Sequence, residues 1–528
     1  MKKKILNVLN EYIDGEIVLE KPKDINFGHF ATPVAFSLAK KLRKSPVIIA
    51  KELCEKLLKE DIFSSVEAVK GYINFKLENE FLDKFATWSL QNENDFAKGS
   101  NNKKILLEYV SANPTGPLHI GHARGAILGD SLCKIARHLG YEVTSEYYVN
   151  DAGNQIYLLG LSVFLNAQDN FFDMDIDWPD EYYRGSYIND LACEARDNFG
   201  VDIFTDNTNV KLLSDWAKDK MLELIKSNLK ECGIEFDSFV SEKKLYEKWD
   251  EVFDRLKRNG AIYEKDGKWW LNSTKYNDEK DRVVVREDKR ATYLAGDIIY
   301  HDDKFKREYD EYINIWGADH HGYIERVRAA IKFLGYDENK LEVILSQMVS
   351  LLKAGEPYKM SKRAGNFILM SDVLEDIGSD ALRFVFLSKK SDTHLEFDVD
   401  MFKANDSSNP IYYINYAHAR INQLFEKSNK KLKDILNVKL DNLNSDAENL
   451  LFYSLLLPEV IEDAFKQRAL QKLTEYLKIL ASFIHRFYNE YRIIATEEED
   501  KYLKILSTSA LSIRVGLKLI GIQAKYKM

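Results

Sequence analysis

Two short segments hold the residue types that chemistry on a phosphate requires. The first is NPTGPLHIGH, residues 113–122, where His119 and His122 stand three positions apart as an apolar run gives way to a helical pattern. A helix start exposes unpaired N–H groups and carries partial positive charge, so it holds phosphate oxygens. Two imidazoles there add hydrogen bonds as negative charge builds on a phosphoryl centre and its leaving group. Gly121 leaves the backbone open to a ligand lying against it. A metal-binding histidine pair is the rival reading, and it lacks nearby cysteine or aspartate ligands. The second segment is KMSKRAGNFI, residues 359–368. Lys359 and Lys362 flank Met360 and Ser361, with Gly355 before them and Gly365 after. A glycine-bounded loop with two lysines suits closure over a triphosphate, where it neutralises the departing charge.

These segments need elements to hold them. ILLEYV (105–110) is a continuous apolar run, read as a strand. Leu128, Leu132, Ile135 and Leu139 come after it at helical spacing, so strand, loop and helix open a parallel α/β domain over residues 100–375. The stretch from about 155 to 280 is too long for a simple crossover and ends in a hairpin, KWWLNS with DRVVVRED, so it reads as an insertion. INIWGADHHG (313–322) and LEVILSQMVSLL return to sheet character. Residues 1–95 read as a small α/β domain, with helical segments broken at Pro46 and a strand pair in VEAVKGYINFKL. The polar stretch 92–104 links that domain to the parallel one, and residues 376–528 read as a helical domain, almost wholly helical from Ser379 onward.

With 528 residues, several domains are expected. No stretch reaches the roughly 18 apolar residues of a membrane span, and the basic, amphipathic start does not read as a signal peptide. Cys54, Cys133, Cys193 and Cys232 are scattered without a CxxC pair, which fits a reducing compartment and neither a disulfide framework nor a zinc knuckle. A net charge of −9 gives no hint of a nucleic-acid partner. Basic clusters at 39–46 and 426–434 are local at most.

Taken together, the two segments resemble the HIGH and KMSKS signatures of class I aminoacyl-tRNA synthetases. Arg363 stands where serine is usual, and both lysines are kept. EYVSANPTGPLHIGH (108–122), EYYVNDAGNQI (146–156), ATYLAGDIIYHDDKF (291–305) and IWGADHHGY (315–323) resemble the arginine branch. SDALRFVFL (379–387) resembles the start of the helical anticodon-binding domain of the DALR type, and INFGHFATPVAFSLAKKL resembles the family's N-terminal tRNA-contacting domain. In that domain His29 replaces a common aspartate. The resemblance implies an α/β fold with a Rossmann-like catalytic domain. It also implies arginine activation with ATP, then transfer of arginine to the 3′ end of its tRNA.

The same resemblance places His119, Gly121, His122, Lys359, Met360, Ser361 and Lys362 at ATP, and Glu108, Ser111, Asn113, His119, Tyr293, Asp297 and His320 around arginine. A guanidinium has five donors and no acceptor, so Glu108 and Asp297 suit its fork. Asn113 and His119 would hold the α-amino end, with Tyr293 beneath the aliphatic stem. Also implied are ATP carried with Mg2+, no protein-held metal, a cytoplasmic monomer without a membrane partner, and activation of arginine only once tRNA(Arg) is bound. The absence of zinc-ligand cysteines sets aside the cysteine branch and many methionine enzymes. The chain is too short for the editing domain of the branched-aliphatic enzymes. A small cytidylyltransferase or a catalytically inactive RNA-binding relative are the competing readings. Length and the helical last third oppose the first, and intact histidines and lysines oppose the second.

Overall fold

The computed structural model describes residues 1–22, 27–358 and 367–528. Its centre is a five-stranded parallel sheet made of β1 (Lys104–Glu108), β2 (Glu142–Val149), β3 (Ser238–Ser241), β4 (Glu311–Gly317) and β5 (Leu341–Ser346). The spatial order is β5-β4-β1-β2-β3, and every neighbouring pair is parallel. Helices cover both faces of the inner strands, which is why β1 reads as an unbroken apolar run rather than an alternating one. The order reverses between β1 and β4, so a crevice opens at their carboxyl ends. Glu108, the last residue of β1, lies at that crevice beside Asn314 of β4 and Glu146 of β2.

Two helices frame the crevice. Helix α1 (Ile120–His138) starts from His119, and every residue from Ala123 to Cys133 is buried between the sheet and the helical bundle. Helix α2 (Tyr293–Lys306) leaves Thr292 and carries Tyr293, Asp297, Tyr300, His301 and Lys304 at helical spacing on one face. Helix α3 (Met370–Leu387) turns sharply at Gly378, whose φ of 77° is a left-handed conformation that favours glycine.

The boundaries differ from the sequence reading in two places. The stretch 155–280 does hold its own three-helix cluster, Asn154–Phe172, Ser186–Phe199 and Val210–Glu231, and the hairpin Lys268–Leu271 with Arg282–Val285. It also holds β3, an edge strand of the main sheet. That strand has only four residues, none fully buried, so no apolar pattern marks it. The region after 376 includes one short strand. Leu395–Asp398 pairs in parallel with Val349–Lys353, and Glu356–Pro357 adds an antiparallel edge. The bundle proper begins at Pro410, where Asn409 caps the amides of Ile411 and Tyr412.

At the front, Phe30–Thr32, Tyr72–Leu77 and Phe63–Val69 form an antiparallel sheet under helices that include Pro46–Leu57, started by its proline. This unit docks on the bundle. The His29 ring stacks on Phe452 at 4.1 Å, and Lys76 pairs with Glu448 at 3.0 Å. No helix among the described residues is long and apolar enough to cross a membrane.

Candidate active site

His119 occupies the N-cap of α1 with an extended backbone. Its Nδ1 accepts from the Gly121 amide at 3.1 Å, and His122 Nδ1 accepts from the His119 amide at 3.4 Å. The two rings stack at 3.6 Å. Burial lowers both pKa values, that of His122 to about 3, so both rings are neutral at pH 7. Since each Nδ1 accepts a hydrogen, the bonding pattern assigns the ring proton to Nε2, and each ring keeps one outward donor. Gly121 also bears on the capping ring. A Cβ there would stand 3.0 Å from the His119 ring, so the missing side chain makes room for the imidazole.

Lys359, Met360, Ser361 and Lys362 lie outside the described residues. The chain immediately beyond them does meet the histidines. The Ile120 amide donates to the Ile368 carbonyl at 3.0 Å, and the Met370 amide donates to that of Leu118 at 2.9 Å. His119 and Leu369 form an antiparallel bridge, and Phe367 stacks on His119 at 5.3 Å. The exit of the lysine-bearing segment is therefore stitched to the start of α1.

The acidic residues form a second cluster at the same sheet edge. Glu108 is buried but already has partners. Its Oε2 accepts from Lys304 Nζ at 2.8 Å, and its Oε1 accepts from the Ser111 hydroxyl at 2.7 Å. Lys304 is fully buried, also donates to Asn314 Oδ1 at 2.8 Å, and sits over the Tyr300 ring. Asn314 in turn contacts His301 at 3.1 Å. Behind this network Arg307 grips Glu146 through two nitrogens, with the Tyr300 hydroxyl donating to the same carboxylate at 2.8 Å.

Asp297 differs from Glu108. Burial, then the charges of Glu242 and Glu108, push its carboxyl up to about 8. Glu242, only 3% exposed, is pushed up to about 7, chiefly by burial, and its Oε2 has no hydrogen-bond partner. Its other oxygen lies over Gly296, where a Cβ would come within 2.2 Å of it. Tyr148 and Tyr246 face the same carboxylate. Neither Glu242 nor Asp297 has an ion-pair partner among the described residues. A buried acid and a half-buried one, neither in contact with a cation although Lys304 and Arg326 act on Asp297 from further off, lie next to a third that lysine already neutralises, and the set suits a ligand that brings its own positive charge.

The other expected residues divide. Tyr293 stands one turn before Asp297 and is 48% exposed, at the mouth of the cluster. Asn113 is exposed and donates to Gln155 Oε1 at 2.8 Å. His320 is not brought into the acidic cluster. Its side chain is 56% exposed and pairs with Asp319 at 3.6 Å, while Tyr323 and Arg326 are the residues of that region that influence Asp297. Sequence reasoning missed Glu242, Lys304 and Asn314. A signal for Lys304 existed, because Tyr293, Asp297 and Lys304 share one helical stripe. The insertion also reaches the site, with the Tyr187 hydroxyl donating to the Thr115 carbonyl at 3.1 Å.

Comparison with known proteins points one way. The model for the class I (R) tRNA synthetase catalytic domain matches residues 87–417, the arginyl tRNA synthetase N-terminal model matches 1–77, and the DALR anticodon-binding model matches 414–528. Relatives named arginine–tRNA ligase are 63% identical in Nitratiruptor, over 528 residues, and 57% identical in Campylobacter jejuni, over 529, each covering 100% of both chains. A crystal structure from Campylobacter jejuni, 57% identical, superposes with a TM-score of 0.83 over 86% of this chain and 100% of that one. Thermus thermophilus arginyl-tRNA synthetase shares the fold at 19% identity, with a TM-score of 0.79 over 100% of this chain and 99% of that one. A histidine-capped helix and an acid-rich cluster at one sheet edge are thus accompanied by likeness along the whole chain, which belongs to the arginyl-tRNA synthetase family.

Proposed function

We propose that this chain activates arginine with ATP and charges tRNA(Arg), using the crevice between β1 and β4. The observation that carries this reading is the pair Glu242, buried, and Asp297, half-buried, neither in an ion pair among the described residues, on the same sheet edge as His119 and His122. A guanidinium supplies the missing charge and the donors that fit carboxylate oxygens. Tyr293 packs along the aliphatic stem. Glu108, with Ser111 and Lys304 on its two oxygens, shapes the pocket floor. Asn113 and His119 orient the α-amino end.

In the first step an arginine carboxylate oxygen attacks the α-phosphorus of ATP. The phosphorus–oxygen bond to the β-phosphate breaks, pyrophosphate leaves and arginyl-adenylate forms. The Nε2–H groups of His119 and His122 donate to the phosphate oxygens as charge grows on them. Lys359 and Lys362 neutralise pyrophosphate, and Met360 and Ser361 belong to the same nucleotide-covering segment. Magnesium arrives on the triphosphate and shields its charge. In the second step a hydroxyl of the terminal tRNA ribose attacks the carbonyl carbon, and AMP leaves with the electron pair of the broken anhydride bond.

Residues 1–95 and 376–528 flank the catalytic region 100–375 and contact tRNA. The chain acts as a cytoplasmic monomer. Pyrophosphate exchange with each amino acid, with and without tRNA, tests the reading. Arginine-specific exchange is expected, and exchange with lysine or glutamate in place of arginine overturns it.

A further inference from the structure

Helix α1 contains a buried cation that has no part in the two reaction steps. Arg124, two residues beyond His122, is 1% exposed. Its Nη1 donates to the backbone carbonyls of Gln347 at 2.9 Å and Thr393 at 2.8 Å, and its Nη2 donates to that of Lys390 at 2.8 Å. No carboxylate touches it among the described residues. Burial lowers its pKa, with Asp392 the one acid opposing that shift, and its Nε has no partner.

For stability alone this is an odd choice. A buried guanidinium without a counter-ion costs desolvation energy, which its carbonyl contacts offset only in part. The fork contributes direction instead: five donors in one rigid plane, able to fix carbonyls from separate segments at once. The segments it fixes are informative. Gln347 is the turn between β5 and the strand Val349–Lys353, which leads toward the lysine-bearing segment. Lys390 and Thr393 precede Leu395–Asp398, the strand paired alongside it, and the Gln347 amide donates to the Ser391 carbonyl at 2.8 Å. About one turn earlier in the chain, Leu118 and Ile120 hold Ile368 and Met370 on the far side of that segment.

We propose that Arg124 is a positioning residue for adenylate formation. It fixes the turn before the strand Val349–Lys353, and the chain before its partner strand Leu395–Asp398, to the same helix that presents His119 and His122, so the histidines and this strand platform keep one register. This rests on the reading of the site as an arginine-activating centre. Misplacing reacting groups by about 1 Å costs on the order of 10²-fold in rate, whereas the acids that meet arginine lie on other elements.

The test is pyrophosphate exchange with tRNA present, with arginine affinity measured separately by calorimetry. Arg124→Lys keeps the charge but cannot span three carbonyls. Its kcat is expected to fall about tenfold to hundredfold, while arginine affinity stays within twofold of wild type. Wild-type kcat in folded Arg124→Lys overturns the proposal, as does a loss of arginine affinity parallel to the loss of kcat. If that variant does not fold, Thr393→Gly decides. It loosens one clamped carbonyl at an exposed position and is expected to lower kcat several-fold, and an unchanged kcat overturns the proposal. A wild-type enzyme that fails to exchange with arginine removes the underlying reading instead.

Discussion

Replacing Glu242 with glutamine keeps the shape of the pocket and removes one charge, and its effects on binding and on stability have opposite signs. In the ligand-free fold the carboxyl of Glu242 is pushed up to about 7, first by burial. An acid with a higher pKa folded than unfolded holds its proton more tightly in the fold. Folding therefore loses stability as pH climbs from the unfolded value near 4.5 to about 7, and above that the loss is constant. At about 1.4 kcal/mol per pKa unit the loss at pH 8 has an upper bound of about 3.5 kcal/mol, which glutamine avoids. Its amide still needs an acceptor, so a net gain of ~1–2 kcal/mol is expected for Glu242→Gln without ligand. Binding moves the other way. Losing a charge-assisted hydrogen bond to a guanidinium costs ~1.5–3 kcal/mol, equivalent to roughly tenfold to 150-fold weaker arginine. Thermal melts at pH 8 and calorimetric titration of arginine read the two effects. An arginine Kd within twofold of wild type would refute the reasoning, since Glu242 would then not meet the ligand. A lower melting temperature would show that its charge is satisfied in the fold.

The same geometry sets three further outcomes. His122→Ala removes one Nε2 donor and is expected to slow pyrophosphate exchange by ~10²-fold, and a wild-type rate would discard its phosphate role. Arginine affinity should fall as pH drops from 8.5 to 6, because burial and neighbouring acids hold Asp297 near 8 and Glu242 near 7 and the guanidinium must displace their protons. The slope is at most about tenfold per pH unit for each proton displaced, and a flat Kd over that range would contradict the assignment. Lys304→Met leaves Glu108 buried without its cation, so stability should fall by roughly 3–5 kcal/mol. Adding Glu108→Gln should restore much of it, and an unaltered melting temperature in the single variant would show that the pair is not coupled.

The chemistry was more legible in the sequence than the way the elements share the site. His119 and His122 announce themselves because they interrupt a strand-to-helix transition with residue types that neither element needs for packing. Asp297 and Tyr293 were singled out by resemblance alone. Glu108 was identified, but not its partner, because Lys304 is 196 positions away and reads as one more charge near a helix end. Glu242 comes directly after a four-residue edge strand inside what reads as an insertion, so no periodicity draws attention to it. His320, grouped with the pocket by local similarity, turns outward beside Asp319.

Local order is written in neighbouring residues: apolar runs for buried strands, helical spacing, Pro46 and Pro410 at helix starts, and a glycine beside the capping histidine. Those features depend on backbone geometry within a few residues, so the sequence alone determined the strand–loop–helix unit and placed two histidines at its turn. Charge compensation depends on distance through space. Only the tertiary structure decided that Glu108 has a lysine in direct contact while, among the described residues, Glu242 and Asp297 have no ion pair, since that required α2, β1 and the chain after β3 to meet at one sheet edge. A carboxylate's role depends on its burial and nearest cation, and neither is encoded by its own position in the chain.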